Sequence, residues 1–513
     1  MNNQDSTSRN LSLKSKVFFP PILFLLLTIA YSLQDNEHFL SLANGTNEWI
    51  LHNFGWLFTW STFLFLVVLL AVYFSPLASL KIGGKDAQPI LTKWRWFAIA
   101  LCTTIATGIL FWGTAEPLYH LHTPPSGLGF EAGSSEAARF AMSTMFMHWS
   151  FTPYGIYTIT GLAFALVYYN LKQPFSISSL LYPVFGNKVH GTIGTLLDII
   201  CLYGLSAGMA ASLGTGIFAM MGGMETNLGI AKSDFLLGLI GIVIVLAFIL
   251  SAVSGLNKGI RILSDINIKA FFVLAIVVFI FGPTAYILQI GAEGFGDYLY
   301  NFLPRSTNVG SAINADWQYS WTIFYFANWF AWAPVAALFL GRLAVGYTVR
   351  DFIHFNFLFP SIFTCFWMAI LGGSALSMDF GSEGALYQTL TSQGEQNVMY
   401  EVLSSLPMGY WLSIFTMLIV FISYVTAADS NISAMSAISS RGISPENPEA
   451  PLWIKIVWGT LIGTIAWVMI TSAGIDGIRL LCVLGGFPAL FLIILVAVGI
   501  VKMMFQKDYF EGS

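Results

Sequence analysis

Charge is what this sequence has least of. Its 513 residues include 22 Lys+Arg and 26 Asp+Glu, 9% of the chain, whereas soluble domains carry about 25%. So few charges cannot solvate a globular surface, which excludes a soluble enzyme and a disordered scaffold. The net charge of −4 leaves no electrostatic footprint for a nucleic-acid partner. Cysteine is scarce as well. Cys102, Cys201, Cys365 and Cys482 all fall in apolar runs, with no CxxC or Cys/His spacing. Neither a disulfide framework nor a zinc site is expected. The polar N-terminal stretch, about 16 residues long, leads into a long apolar run without a small-residue cleavage site, so the first apolar segment is read as retained. What the chain does have is 56% apolar and 16% aromatic residues, with 44 Phe, 16 Trp and a mean hydropathy of +0.73. That is the composition of a body facing lipid.

A bilayer core about 30 Å thick takes about 20 helical residues to cross. Runs of that kind fall near 17–33, 54–75, 96–113, 140–168, 191–222, 236–254, 269–290, 317–345, 351–373, 409–430, 452–472 and 478–503. The expectation is an all-α polytopic membrane protein with twelve transmembrane helices. Placing the N-terminus inside puts eighteen Lys/Arg on the inner side and four on the outer side, namely Arg139, Lys232, Arg305 and Arg479. This bias orients both termini to the cytoplasm. The segment GAEGFGDYLYNFLPR, 291–305, is too polar to span and is expected to lie as an amphipathic helix at the outer interface.

Helix rise gives depth. Trp149 lies about 14 Å into the fourth span and Asn328–Trp329 about 17 Å into the eighth, both near the midplane. The third-span stretch Thr103–Gly108 reaches the same level from the other side. Midplane sites beside interrupted helices characterise secondary transporters. In the fourth span Trp149, Tyr154 and Tyr157 fall within an arc of roughly 140°, and Pro153 is expected to kink the helix. In the eighth, Tyr325, Trp329 and Trp332 share one face at i, i+4, i+7. A box of ring faces suits a quaternary ammonium, which has no N–H to donate and gains about 0.5–2 kcal/mol from each ring. A buried carboxylate would suit a primary amine, and none is expected at that depth. Glu116, before Pro117, reads as a solvated loop or cap residue. His148 reads as a helix-packing residue or a proton relay, and Asp429 as a structural hydrogen-bonding group or part of an ion gate. A channel would call for a repeated filter sequence, and an intramembrane enzyme for a nucleophile–base pair or a metal constellation. Neither is visible.

Five motifs, in the same order and orientation, resemble the betaine/choline/carnitine transporter family over nearly all of these spans. They are FWGTAEPLYH (111–120), MFMHWSFTPYGIY (145–157), SGLNKGIRILSDIN (254–267), SWTIFYFANWFAWAP (320–334) and TAADSN (426–431). The resemblance implies an inverted five-plus-five helix repeat of the LeuT-like kind, with repeats at 96–290 and 317–503. Two extra helices at 17–95 precede them, an external segment at 291–316 joins them, and cytoplasmic tails run over 1–16 and 504–513. It also implies alternating access, a homotrimer, and residence in a bacterial cytoplasmic (inner) membrane. By position, Trp149, Tyr154, Tyr157 and Trp329 would form the substrate box, and Trp332 would line the inward exit. Phe111 would flank the substrate on the outer side, and the backbone near Thr104, Ala106 and Gly108 would approach a substrate carboxylate. Sodium, the possible coupling ion, would bind among Cys102, Ile105, Ser423, Thr426 and Ala427; proton coupling and substrate exchange are the alternatives. The family's third-span glycine triplet is here Thr104, Ala106 and Gly108. A box tryptophan is Tyr154, and two signature tryptophans are Phe326 and Asn328. An amide at 328 hydrogen-bonds but does not stack, which favours a substrate with an extra polar group or a less methylated amine. The short charged tail after 503 is expected to give weak osmotic regulation, leaving nutrient uptake as the role.

Overall fold

The computed structural model describes residues 12–104, 108–253, 259–310, 315–443 and 449–506. It is helical throughout. In chain order the helices are α1 (Ser15–Gln34), α2 (Asn36–Phe74), α3 (Lys93–Thr104), α4 (Gly108–His122), α5 (Ser135–Trp149), α6 (Phe151–Ala165), α7 (Tyr182–Phe185), α8 (Thr192–Leu228), α9 (Asp234–Val253), α10 (Gly259–Phe281) and α11 (Thr284–Ser306). Then follow α12 (Ala315–Gln318), α13 (Phe324–Arg342), α14 (Val349–Ile353), α15 (Phe359–Gly381), α16 (Ala385–Gln393), α17 (Glu395–Ser404), α18 (Gly409–Ile438) and α19 (Leu452–Phe505). Two-residue strands, β1 (Ser12–Leu13) and β2 (Ser440–Arg441), pair antiparallel and pin the N-terminal segment to the end of α18. Among the described residues, ten helices are long and apolar enough to cross a membrane.

The breaks between helices have local causes, and several shift the expected boundaries. The fourth span is two helices. Ser150, at φ −107° and ψ −109°, separates α5 from α6. Pro153 therefore sits in the first turn of α6, where its missing N–H has no intrahelical partner to lose, and the break falls three residues before the proline rather than at it. The third span does not end at 113: α3 and α4 flank residues 105–107, which lie outside the described part, and α4 continues to His122. Likewise α10 ends at Phe281; Pro283 follows, and the next helix starts at Thr284, not at 291. The polar 291–305 stretch is thus the later part of one 23-residue helix, which packs on α5 and α15. Its Gly294 permits that approach: a Cβ there would stand 2.5 Å from Met142 Cγ. Within α19, Gly474 adopts φ +58°, a conformation only glycine takes without strain. It divides the 54-residue helix between the two expected runs at 452–472 and 478–503.

Burial separates an inner shell from an outer one. The most apolar 18-residue windows of the α5–α6 and α12–α13 segments are 94% and 89% buried, against 28% for those of α1 and α9. Peripheral helices turn Leu23, Phe235, Leu250 and Phe281 outward, as lipid contact requires. The inner helices carry the aromatic and polar residues, and they enclose the cavity described next.

Candidate functional site

The helix break at Ser150 exposes a carbonyl at the level of the aromatic residues. The four C-terminal carbonyls of a helix have no intrahelical partner. Because α5 stops at Trp149, the carbonyl of His148 is left free to accept the Trp329 indole N–H from α13, at 2.9 Å. On the facing side is Gly108, the first described residue of α4. A Cβ there would stand 3.0 Å from Trp149 Cη2, so the start of α4 lies directly against the Trp149 ring. Trp149 itself donates its indole N–H to Glu116 Oε2 at 2.7 Å, and the Tyr325 hydroxyl donates to the same oxygen at 2.6 Å. With their polar edges bonded outward, three rings cluster. Trp149 lies 5.1 Å from Trp329 and 5.3 Å from Tyr325, and Tyr325 lies 5.9 Å from Trp329 in a stacked arrangement.

These rings border a cavity of about 60 Å³, room for several water-sized positions. Of the residues singled out from the sequence, Thr104, Gly108, Trp149, Asn328, Trp329, Trp332 and Ala427 line it. Asn328 Oδ1 accepts from Cys482 Sγ at 3.1 Å. Others stand behind this wall. Tyr157 packs edge-on against Trp329 at 6.2 Å and Tyr154 against Tyr157 at 6.5 Å. The Tyr154 hydroxyl lies 3.4 Å from Thr364 Oγ1. Phe111 packs on Trp112 at 5.1 Å, and it is Trp112, not Phe111, that reaches the cavity. Ser423 and Thr426 are buried but turned away. The Thr426 hydroxyl donates to Ile422 O at 2.8 Å, and Ser423 Oγ exchanges hydrogen bonds with the Asn267 amide at 2.9 and 3.1 Å. Ala106, Ile105 and the Cys102 side chain lie outside the described residues.

The sequence reading missed several members of this site. From α8, Ala211, Ser212 and Thr215 line the cavity, as do Trp112 and Cys482. The largest correction concerns Glu116, which is not a solvated cap. It is 0% exposed and accepts from His148 Nδ1 at 2.6 Å and His120 Nε2 at 3.1 Å through Oε1, besides Trp149 and Tyr325 through Oε2. A carboxylate therefore does stand at the depth where none was expected, and His148 does have an acidic neighbour. One signal was present: Glu116 and His120 are i, i+4 and share a helix face. Donor atoms of Glu116, His120 and His148 lie within 4.8 Å of one another. The contacts of 2.6 and 3.1 Å are hydrogen-bond lengths, shorter than the spacing of about 3.3 Å that ligands around tetrahedral zinc adopt. The cluster is a hydrogen-bonded one. Above it, the Arg479 guanidinium lies over the Trp112, Trp321 and Phe324 rings at 5.9, 5.1 and 5.8 Å.

A shell of apolar helices around buried inner helices, with an aromatic chamber beside the break at Ser150, defines a multi-pass membrane protein built around a small internal compartment. The family model for betaine/carnitine/choline transporters matches residues 16–509, and the chain belongs to that family of transporters. It is similar to the high-affinity choline transport protein of Escherichia coli K12, 30% identical over 96% of this chain and 72% of that one. It is also similar to the glycine betaine transporter OpuD of Bacillus subtilis, 29% identical over 96% and 95% of the two chains. The ectoine/hydroxyectoine transporter of Virgibacillus pantothenticus is 29% identical over 97% and 98%. The family makes the protein a transporter rather than an enzyme.

Proposed function

We propose that the chain is a secondary carrier that imports a small quaternary ammonium compound, of the glycine betaine, choline or carnitine class, by alternating access. The observation that carries this reading is the tying-off of both indole N–H groups, Trp149 to Glu116 and Trp329 to His148 O. Ring carbon is left for the cavity. A methylated ammonium offers no donor and is held by ring faces, whereas a primary ammonium would leave its N–H groups unpaired there. Thr104 and Gly108 in the lining stand on the side where a substrate carboxylate would sit. A related reading, a less methylated amine or a zwitterion with an extra polar group, is favoured by the Asn328 amide in the lining. Exchange of substrate for a product is the other variant of this reading.

The same proposal counts α3 with α4 as one span and α19 as two around Gly474, for twelve spans in an inverted five-plus-five repeat. The protein would work as a homotrimer in a bacterial inner membrane, both termini inside. Sodium is proposed as the coupling ion, near Ser423, Thr426 and Ala427. Uptake into proteoliposomes tests all of this chemistry. Saturable, competable import of labelled choline or glycine betaine, strongly weakened by Trp329→Ala and lost when K⁺ replaces Na⁺, is the expected result. Sodium-independent uptake would remove the ion, and absence of uptake of any quaternary ammonium would remove the substrate class.

A further inference from the structure

The buried cluster behind the cavity wall has capacity that the box alone does not use. Glu116 accepts four donors, two on each oxygen, which fills the roughly four lone-pair positions of a carboxylate. A carboxyl that kept its own proton would have to turn one of those donors away, so Glu116 carries the negative charge. With His148 Nδ1–H and His120 Nε2–H both directed at Glu116, each imidazole keeps one further nitrogen. His148 Nε2 lies 3.0 Å from the Thr322 hydroxyl, a group that donates or accepts by rotating. His120 Nδ1 is buried with no hydrogen-bond partner among the described residues. On the far side of Thr322 lies a second cavity, of about 260 Å³, lined by Thr322, Trp317, Asp297 and Arg305 among others. A proton arriving there has a route through the Thr322 hydroxyl to His148.

We infer that Glu116, His148 and His120 form a proton-binding site which holds one proton in the empty carrier and releases it when a cationic headgroup enters the aromatic box. The inference rests on the quaternary ammonium reading above. One proton takes the cluster from a net charge of −1 to 0; a second would leave an unpaired positive charge in the membrane interior, which is costly. The coupling runs through two walls of the box, since Trp149 and Tyr325 hang on Glu116 Oε2. A negative Glu116 behind those rings favours a cation in front of them, and a neutralised cluster does not. Proton and substrate cation therefore compete, and by linkage each weakens the other equally.

Other charges around the cluster are already paired or held. From α11, Arg305 bonds Asp297 and Ser143 at 3.1 and 2.8 Å. From α19, Arg479 lies 3.6 Å from Asp476 and over the aromatic rings named above. Glu395 of α17 accepts from Tyr119 at 2.6 Å, and Asp379 of α15 pairs with His122 at 2.6 Å. From α6, the packed Tyr154 and Tyr157 are the titratable groups behind the box. Among the described residues, this leaves the Glu116 cluster as the one that meets both the box and the Thr322 cavity.

Tryptophan fluorescence of the purified chain reads the competition. Choline affinity measured from pH 8.5 to 5.5 is expected to fall about tenfold, the size of a typical two-site coupling. Binding in weakly buffered solution should release up to one proton per choline. His148→Gln, which cannot take a proton, should flatten the pH profile, and His120→Phe should weaken it. A pH-independent affinity, no proton release, or a profile unchanged in both variants would overturn the inference. If no quaternary ammonium binds at any pH, the functional reading itself falls. A fluorescence titration of the ligand-free chain then still decides the proton site: a pH-dependent step that His148→Gln loses and His120→Phe weakens is expected, and no step in the unmodified chain contradicts it.

Discussion

The two sides of the chamber, at Glu116 and at α18, are built differently. At Glu116, one carboxylate draws α4, α5 and α13 together through His120, His148, Trp149 and Tyr325. At α18, the Thr426 hydroxyl is spent on its own helix and Ser423 on the Asn267 amide. Charge concentrated at one buried acceptor makes a stiff wall whose rings are fixed in place. These two α18 hydroxyls, one bonded within its helix and one to α10, carry no charge and tie that side less firmly. The difference assigns the fixed ring wall to Glu116 and the less committed side to α18.

The comparison can be broken most forcefully at Glu116. Glu116→Ala strips the acceptor from four buried donors, and loss of one partner of a buried ionic cluster costs about 3–5 kcal/mol. Thermal unfolding in detergent should show a large drop in Tm; an unchanged Tm would contradict the stiff wall. Next comes Trp329. Removing a desolvated ring worth about 2 kcal/mol should raise the choline Kd by about thirtyfold in Trp329→Ala, with Trp329→Phe recovering part of the loss because the ring face remains. Smaller again is Asn328. Asn328→Ala should shift the preference between choline and glycine betaine by a few fold without abolishing uptake, since an amide contributes about 1 kcal/mol net. The smallest effect is expected at α18. Thr426→Val keeps the shape and loses only a bond to Ile422 O, so stability should move by less than about 1 kcal/mol. Any larger change should appear as altered Na⁺ dependence of uptake, which would mark the hydroxyl as an ion ligand.

Periodicity made the aromatic stripe readable. Tyr325, Trp329 and Trp332 recur at helical spacing, and helix rise alone put Trp149 at the same depth. The broken character of the fourth span was also foreshadowed, by Pro153, although the break falls at Ser150. Glu116 was misplaced for a definite reason. A span counted over 96–113 ends before residue 116, so the carboxylate falls at the surface. In the structure α4 runs on to His122 and carries Glu116 inside. Pairing with His148 could not be foreseen from spacing, because 32 residues and a turn of chain separate them. Nor could the lining from α8, where Ser212 and Thr215 look like any small residues in a tightly packed helix. Sequence patterns report which face of one helix is apolar; they do not report which two helices meet.

The central claim is that ring faces, freed of their polar edges, hold a cation. Choline and its neutral carbon analogue 3,3-dimethylbutan-1-ol share shape and hydroxyl but differ in charge. Measured side by side on the purified chain at pH 8, choline should bind at least about tenfold more tightly, as one or more rings at about 0.5–2 kcal/mol each require. Equal affinity for the two would show that the chamber reads shape alone, and would contradict the account.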